Sequence, residues 1–388
     1  MNVVFTVGGY WPSTGGVQIV TQYLCEGLVK RGYSVTVLTS LFDNRPREEE
    51  HNGVKIIRFY EKDILKIHTG EKKKFQSILL EMKDEIDCLI TVCAQSFASE
   101  WIWDIMDQLL CKKVLYMHGM RSPYLNIKKI SDIKSLIKEL LLVPWWRSYF
   151  NRNWKHIMKY NSAVHLFKND TSYNYFIDKG YANNFVINNS CDDVFFDSKS
   201  ASEVIEKYGI VGEYFICVAN YDNNKNQIEA YEAYVKSGVN KSLVFVGSKE
   251  NEYTKRFKSM IKHDNVKVLV GLPREDTISL IKNSYATILS SKSEYFPLTI
   301  VEGIAAGKPF ICSNVGVIPM IPGGVIAHDS NEMSYWISYY SENQEYVESL
   351  GRIAFEYAER KLKKDKIINQ FESIIGERVN DRDNKFYG

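Results

Sequence analysis

The stretch "SSKSEYFPLTIVEGIAAGKPFI", residues 290–311, sets two carboxylates around a helix start at a spacing that suits polyol and phosphate chemistry. It continues the strand-like run "YATILSS". Glu294 falls in the loop, Pro297 reads as the first helical residue, Glu302 lies within the helix and Gly307 closes it. The backbone N–H groups of Leu298 and Thr299 would then point out of the helix start, where a diphosphate can bind without metal. Carboxylates would repel that phosphate, so Glu294 and Glu302 suit hydrogen bonds from sugar hydroxyls, a vicinal diol above all.

Other chemistry-bearing residues sit at the ends of strand-like runs. In "YFICVANYDNNKNQIEAYEAY" a strand ends at Asn220, a polar loop follows, and Lys225 precedes a helix starting near Gln227. A lysine there can set a point charge on a diphosphate. "GGYWPSTGGVQ" puts Gly15 and Gly16 between the first strand and first helix, where a backbone without side chains lets a ligand approach closely. "KVLYMHG" ends a strand on His118 and Gly119. "VKVLVGLPREDTISLIKNS" gives a strand, a loop at Gly271 and Leu272, and a helix.

The string "S-E-Y-F-P-L-T-I-V-E-G-I-A-A-G-K-P" resembles the E-x7-E signature of family 4 retaining glycosyltransferases. That resemblance implies a GT-B fold, with Glu294 near the transferred sugar and Glu302 on the nucleotide ribose. It also implies that Gly15 and Gly16 approach the donor phosphates and sugar, as the family's P-x-x-G-G loop does. His118 matches the family's H-G beside the donor sugar, and Gly271 with Leu272 matches the element that meets the base through its backbone. Related chains carry Arg and Lys five apart on the diphosphate. Here Asn220 stands where the Arg is expected, so either Asn220 offers neutral hydrogen bonds or another group compensates, and Lys225 carries more of the charge. "FVINNSCDDVFF" is similar to the segment that closes the family's first domain, with Ser190 in place of Gly and Asp192 retained. In "SNVGVIPMIPGG" the Gly-x-x-Pro element is present, but Met320 sits where a Glu is common. The resemblance runs from about residue 3 to residue 330.

These residues need scaffolds. Short β-rich runs ("NVVFTVG", "SVTVLTS", "VKIIRFY", "DCLITVC", "KVLYMHG") alternate with amphipathic stretches, the pattern of a parallel sheet covered on both faces. Val17, Val20, Leu24 and Leu28 recur at helical spacing, and Gly32 reads as the stop. After "NNSCDDVFFDSKSAS" the alternation restarts. The reading is therefore an α/β chain of two doubly wound, Rossmann-like domains facing a central cleft, residues 1–195 and 196–388, and the resemblance implies that the first is the acceptor side and the second the nucleotide-sugar side. A last helical segment from about Asn343 to Arg378 either packs on the second domain or crosses back to the first.

A chain of 388 residues suits two domains at roughly 150 residues each. Its 49 basic and 47 acidic residues leave a net charge of +2, which argues neither for a nucleic-acid partner nor for an acidic one, and no nucleic-acid partner is expected. Seven cysteines without a C-x-x-C read as reduced and buried, and neither a leader peptide nor a membrane-length apolar run is evident, so a cytoplasmic location is expected. No H-E-x-x-H or Cys/His cluster is present. The D-x-D string Asp381-Arg382-Asp383 reads as a solvated tail, so neither metal nor cofactor is expected.

Residues 121–160 carry nine Lys/Arg against two Asp/Glu, with Trp145, Trp146, Tyr149, Phe150 and Trp154 after Pro144. That composition suits peripheral attachment to the anionic cytosolic face of an inner membrane. The expected activity, on the family resemblance, is retaining transfer of a hexose or hexosamine from a nucleotide-sugar, UDP-sugars favoured. The acceptor would be a hydroxyl of a glycan or undecaprenyl-linked saccharide in O-antigen or capsule assembly. The competing readings are a non-catalytic nucleotide-sugar-binding or regulatory protein of the same fold, and an epimerase or phosphorylase.

Overall fold

A computed structural model gives the structure, which describes residues 1–42, 44–64, 67–124, 133–197 and 201–376, the side chains at 134, 135 and 138 excepted. The chain divides into two compact units, residues 1–188 with the segment from Ile367 onward, and residues 189–366.

The first unit holds β1 (Asn2–Thr6), α1 (Gly16–Lys30), β2 (Ser34–Ser40), β3 (Glu48–His51), β4 (Val54–Phe59), β5 (Glu61–Ile64), β6 (Ile67–Gly70) and α2 (Lys72–Glu81). It continues with β7 (Cys88–Val92), α3 (Phe97–Glu100), β8 (Lys112–Tyr116), α4 (Ile133–Ile157), β9 (Ser162–His165), α5 (Thr171–Asp178) and β10 (Asn184–Val186). Among the described residues eight of these strands make one sheet in the order β10-β9-β8-β7-β1-β2-β4-β3. Neighbours run parallel except β3 against β4. Every residue of β7 is buried, as a central parallel strand covered on both faces requires. The stripe on α1 buries Val20, Leu24 and Leu28, and the chain turns at Gly32, φ +85°. Tyr33 N–H then donates back to the Leu28 carbonyl at 3.1 Å.

The second unit holds α6 (Glu203–Lys207), β11 (Tyr214–Val218), α7 (Gln227–Ser237), β12 (Ser242–Gly247), α8 (Glu252–Met260), β13 (Val266–Val270) and α9 (Arg274–Asn283). It continues with β14 (Ala286–Leu289), α10 (Leu298–Ala305), β15 (Phe310–Ser313), β16 (Gly324–Ala327), α11 (Ser330–Glu342) and α12 (Gln344–Lys361). Its sheet is parallel, in the order β13-β12-β11-β14-β15-β16. Each sheet is built outward from its middle, first to one side and then to the other. The reversal falls between β1 and β7 in the first unit and between β11 and β14 in the second. Open α/β sheets bind ligands beyond the carboxyl ends of the strands at such a point.

Several expectations are corrected. The division falls at 188/189 rather than 195/196. The reason is that "NNSCDD" is tied to second-unit elements: Asn189 Nδ2 donates to Phe296 O at 3.3 Å and Ser190 Oγ to Leu362 O at 2.5 Å. The segment from 343 is two helices, α12 and α13 (Lys364–Gly376), parted at Leu362. From Ile367 onward α13 is part of the first unit. Phe371 lies 6.4 Å from Phe5 and 5.0 Å from Tyr116, ring centre to ring centre, and Glu372 pairs with Arg31 at 2.7 Å. Pro297 caps α10 instead of opening it, because its ψ of 116° is extended while its carbonyl already accepts from Ile300 and Val301. Trp146, Tyr149 and Phe150 are core residues of the first unit, with Trp154 packed against them. Asp381, Arg382 and Asp383 lie outside the described residues, as do 125–132 of the basic segment and the end of the segment drawn to Arg378.

Candidate active site

In the second unit the loop after β11 is stitched to the loop after β14. Asp222 Oδ1 accepts from the backbone N–H groups of Asn224 and Lys225, both at 2.8 Å, which folds the polar run into a tight turn. Asn224 Nδ2 donates to Ser293 O at 2.9 Å, and Lys292 N–H donates to Asn224 O at 2.7 Å. Asn226 takes the left-handed conformation that asparagine tolerates, φ 52°, and α7 starts after it. The outcome is an ion pair, with Lys225 Nζ 2.5 Å from Glu294 Oε1. The expected diphosphate cation and the expected sugar carboxylate thus meet at the β11/β14 reversal. The carboxylate side chain is only 11% exposed.

β11 stops at Val218 rather than at Asn220, which is exposed two residues further on at the start of the same turn. Asn220 Oδ1 accepts from Ser248 Oγ at 2.6 Å, which commits that oxygen and leaves the NH2 as the donor Asn220 can offer a phosphate. The Glu294 loop is braced from behind by Gly316, φ +54°. A Cβ there would stand 2.4 Å from Tyr295 O and 2.7 Å from Glu294 O. Leu298 and Thr299 are the first two residues of α10, and no side chain caps the helix, so its leading N–H groups have no intrahelical acceptor. Met320 is exposed.

Glu302 is 4% exposed, on the buried face of α10. Its Oε1 pairs with Arg274 Nη2, and the guanidinium lies 5.4 Å from the centre of the Phe195 ring. Burial pushes the Glu302 carboxyl above its usual range, and Arg274 pulls it back. Arg274 opens α9 two residues past Leu272, so the loop at Gly271 and Leu272 leads straight into the helix that pairs with Glu302. The sequence reading passed over Arg274. Its signal was an unassigned cation two positions after Leu272 in a loop already singled out. Gly271 has φ +69° and donates its N–H to Gly247 O at 2.9 Å, holding the loop against β12.

In the first unit Gly15 is the N-cap of α1 and Gly16 its first residue. Gly15 has an ordinary φ of −68°, and a Cβ on it would meet the Gln18 Oε1 atom at 2.2 Å, so it provides room rather than a special backbone. His118 lies just past β8, its ring 4.2 Å from Tyr116 by centroids. Its Nε2 is shielded from solvent and has no hydrogen-bond partner, and burial pushes its pKa down to about 3. The ring is therefore neutral at physiological pH. Because β1, β7 and β8 are parallel neighbours, the Gly15 loop and His118 emerge from the same edge of that sheet. All seven cysteines are free thiols.

Residues 202–329 match the family described as Glycosyl transferases group 1. The second unit therefore carries a glycosyltransferase domain. The chain is 24% identical over 349 residues to a protein of Klebsiella pneumoniae described as an uncharacterized 42.6 kDa protein in the cps region, covering 82% of this chain and 86% of that one. Among solved structures it is similar to Anabaena Alr3699/HepE in complex with UDP-glucose, with TM-score 0.72, 16% identity, and 97% and 99% of the two chains covered. Sucrose-phosphate synthase from Thermosynechococcus elongatus matches with TM-score 0.71 and 16% identity over 96% and 98%. At these identities the likeness fixes the fold, which is GT-B with two Rossmann-like domains. The matched domain makes this chain a glycosyltransferase.

Proposed function

We propose that this chain transfers a hexose or hexosamine from a nucleotide-sugar, UDP-sugars favoured, to a hydroxyl of a glycan or lipid-linked saccharide, with retention and without metal. The observation that carries the reading is the Lys225–Glu294 pair at the β11/β14 reversal. A diphosphate arriving there draws the ammonium toward its negative charge, and the released carboxylate is free to accept from sugar hydroxyls. As the glycosidic bond breaks, Lys225, the Asn220 amide and the leading N–H groups of α10 face the charge that develops on the leaving group. Glu302, held by Arg274, is the carboxylate suited to the ribose diol. The family resemblance implies that the Gly15–Gly16 backbone approaches the donor and that His118, neutral here, meets a sugar hydroxyl. Retention follows from the family resemblance at Glu294 and Glu302. The HepE complexes with UDP and UDP-glucose support the UDP preference, and the cps-region relative supports a place in surface polysaccharide assembly.

A screen of UDP-, GDP- and ADP-sugars in EDTA, with the anomeric configuration of the product read by NMR, tests the whole reading. Turnover of a UDP-sugar with retained configuration, lost in Glu294→Gln and Lys225→Met, is the expected result. Binding without turnover in any acceptor mixture would favour the non-catalytic alternative. A strict metal requirement or an inverted product would overturn the corresponding part.

Peripheral membrane attachment belongs to the same proposal, with altered residues. With the Trp146–Phe150 face of α4 in the core, its exposed apolar stripe is Ile133, Ile137, Leu140, Leu141 and Trp145, at helical spacing on the other face. Exposed Arg147, Arg152 and Lys155 follow on the same helix, which suits an anionic lipid surface. Among the described residues no helix is long and apolar enough to cross a membrane. Co-sedimentation with phosphatidylglycerol vesicles, salt-sensitive and lost in Ile137→Glu/Leu141→Glu, is expected. Equal pelleting of the double variant removes the stripe from the account.

A further inference from the structure

Among the polar side chains of the first unit that, like His118, carry a buried atom without a hydrogen-bond partner is Gln95. Gln95 lies in the loop after β7, and β7 and β8 are paired in parallel with Val92 opposite Tyr116, so Gln95 and His118 leave adjacent strands at one sheet edge. Gln95 Oε1 accepts from the Arg121 backbone N–H at 3.0 Å, which fixes the amide's orientation and ties one loop to the other. The opposite end, Nε2, is cut off from solvent and has no hydrogen-bond partner, as is His118 Nε2. A buried donor left unmade costs free energy, and each such group in a native structure calls for an explanation, an absent partner among them.

The backbone that leads from β7 to Gln95 is held in place. Cys93 has φ +66°, a left-handed conformation rare for a side chain with a Cβ. Its carbonyl accepts from the hydroxyls of Ser96, at 3.2 Å, and Ser99, and its own N–H donates to Tyr116 O at 2.8 Å. Ala94 O accepts from the buried Tyr149 hydroxyl at 3.1 Å. The kink at 93 is thus satisfied on every side, while the residue it presents two positions later keeps an open donor.

We infer that Gln95 is a sugar-recognition residue of the first unit, its amide NH2 donating to a neutral hydroxyl of the substrate beside the one that His118 contacts. An amide donor and a neutral imidazole match hydroxyls, which both donate and accept, and offer a phosphate no charge. The inference rests on the reading of His118 as a sugar contact.

The test uses the full chain with UDP-glucose, UDP-galactose and UDP-N-acetylglucosamine as probes, and measures kcat/KM, Kd for UDP alone and the thermal midpoint. Gln95→Glu keeps an oxygen for the Arg121 N–H and loses the donor, and Gln95→Met loses both. Each is expected to lower kcat/KM roughly 10-fold with UDP affinity unchanged, and Gln95→Glu alone to lower the thermal midpoint, since its carboxylate takes the place of the solvent-shielded NH2. Wild-type turnover in both variants, alongside a defect in His118→Asn, overturns the role of Gln95 and leaves that of His118 standing. Lost UDP affinity or a lowered midpoint in both variants also overturns it, because Gln95 would then only brace the fold. A wild-type chain that binds none of the three probes overturns the proposed function and this inference with it.

Discussion

His118 and Glu302 are both shielded titratable groups, and their pH signatures have opposite signs. The His118 ring is pushed from 6.5 down to about 3 by burial, so between those values the unfolded chain holds a proton the folded chain refuses. Stability therefore falls as the pH drops from 6.5 toward 3. His118→Asn should flatten that part of the urea-midpoint profile, and kcat of the wild type should show no inflection near 6.5 from this ring. Glu302 is shifted the other way. Its folded carboxyl lies above the ordinary 4.5, chiefly through burial and against the pull of Arg274, so the unfolded chain sheds its proton first. This group's contribution is present below 4.5 and is lost as the pH rises through the folded value. Arg274→Ala should extend that loss to higher pH, with a cost of about 2 kcal/mol at neutral pH from the unpaired carboxylate. The figure is held down because the Arg274 side chain is 49% exposed. Unfolding by urea at pH 5 and pH 8 checks it: equal destabilisation at both would mean that Arg274 does not hold Glu302 in its charged form.

The loop after β14 and the elements around it carry the Glu294–Lys225 pair, and Gly316 is where they can be disturbed without touching either side chain. Gly316→Ala places a methyl group in a left-handed backbone position and against the Tyr295 and Glu294 carbonyls, neither of which can swing aside as a side-chain tip would. The expected cost is about 1–3 kcal/mol, with a larger fall in kcat than in UDP affinity, read from kinetics and calorimetry on one preparation. An unchanged kcat would show that the Glu294 loop needs no support from behind. What could be read beforehand follows the same division. The core strands and α10 were legible because continuous apolar runs, a proline and a glycine mark them, and Glu294, Lys225 and His118 were legible as strand-end residues. β3 was not, since "EEEH" carries no apolar alternation and pairs only as an edge strand. The hairpin of β5 and β6 is a separate two-stranded piece with mostly exposed residues, so it gives almost no period-2 signal. Arg274 was missed because ion pairing depends on the packing of α9 beside α10, which spacing along the chain does not encode. The aromatic cluster on α4 was misassigned for a related reason: helical spacing gives two apolar faces there, and only packing decides which is inside.

Covalent order and compact units do not coincide in this chain, since α13 leaves the second unit and completes the first. That connection makes the last helix a condition of the first unit's stability. Ile367, Ile368, Phe371, Ile374 and Ile375 are all buried, at 4% exposure or less. At about 1.5–3 kcal/mol for each fully buried side chain, removing them withdraws on the order of 10 kcal/mol, comparable with the roughly 5–15 kcal/mol that holds an entire domain together. A chain ending at Lys366 should therefore unfold in residues 1–188 rather than merely loosen. The second unit should survive, because its ties to the chain's end stop short of the cut: Leu362 O accepts from Ser190 and Lys364 pairs with Asp192 at 2.9 Å. Limited proteolysis should degrade the first unit and leave a resistant fragment near residues 189–366. That fragment should retain UDP binding through Arg274, Glu302 and Lys225 while catalysing no transfer. A truncated chain that keeps its first unit resistant and active would show that α13 adds little to that core. Loss of UDP binding together with the first unit would show that the nucleotide contacts are not confined to the second.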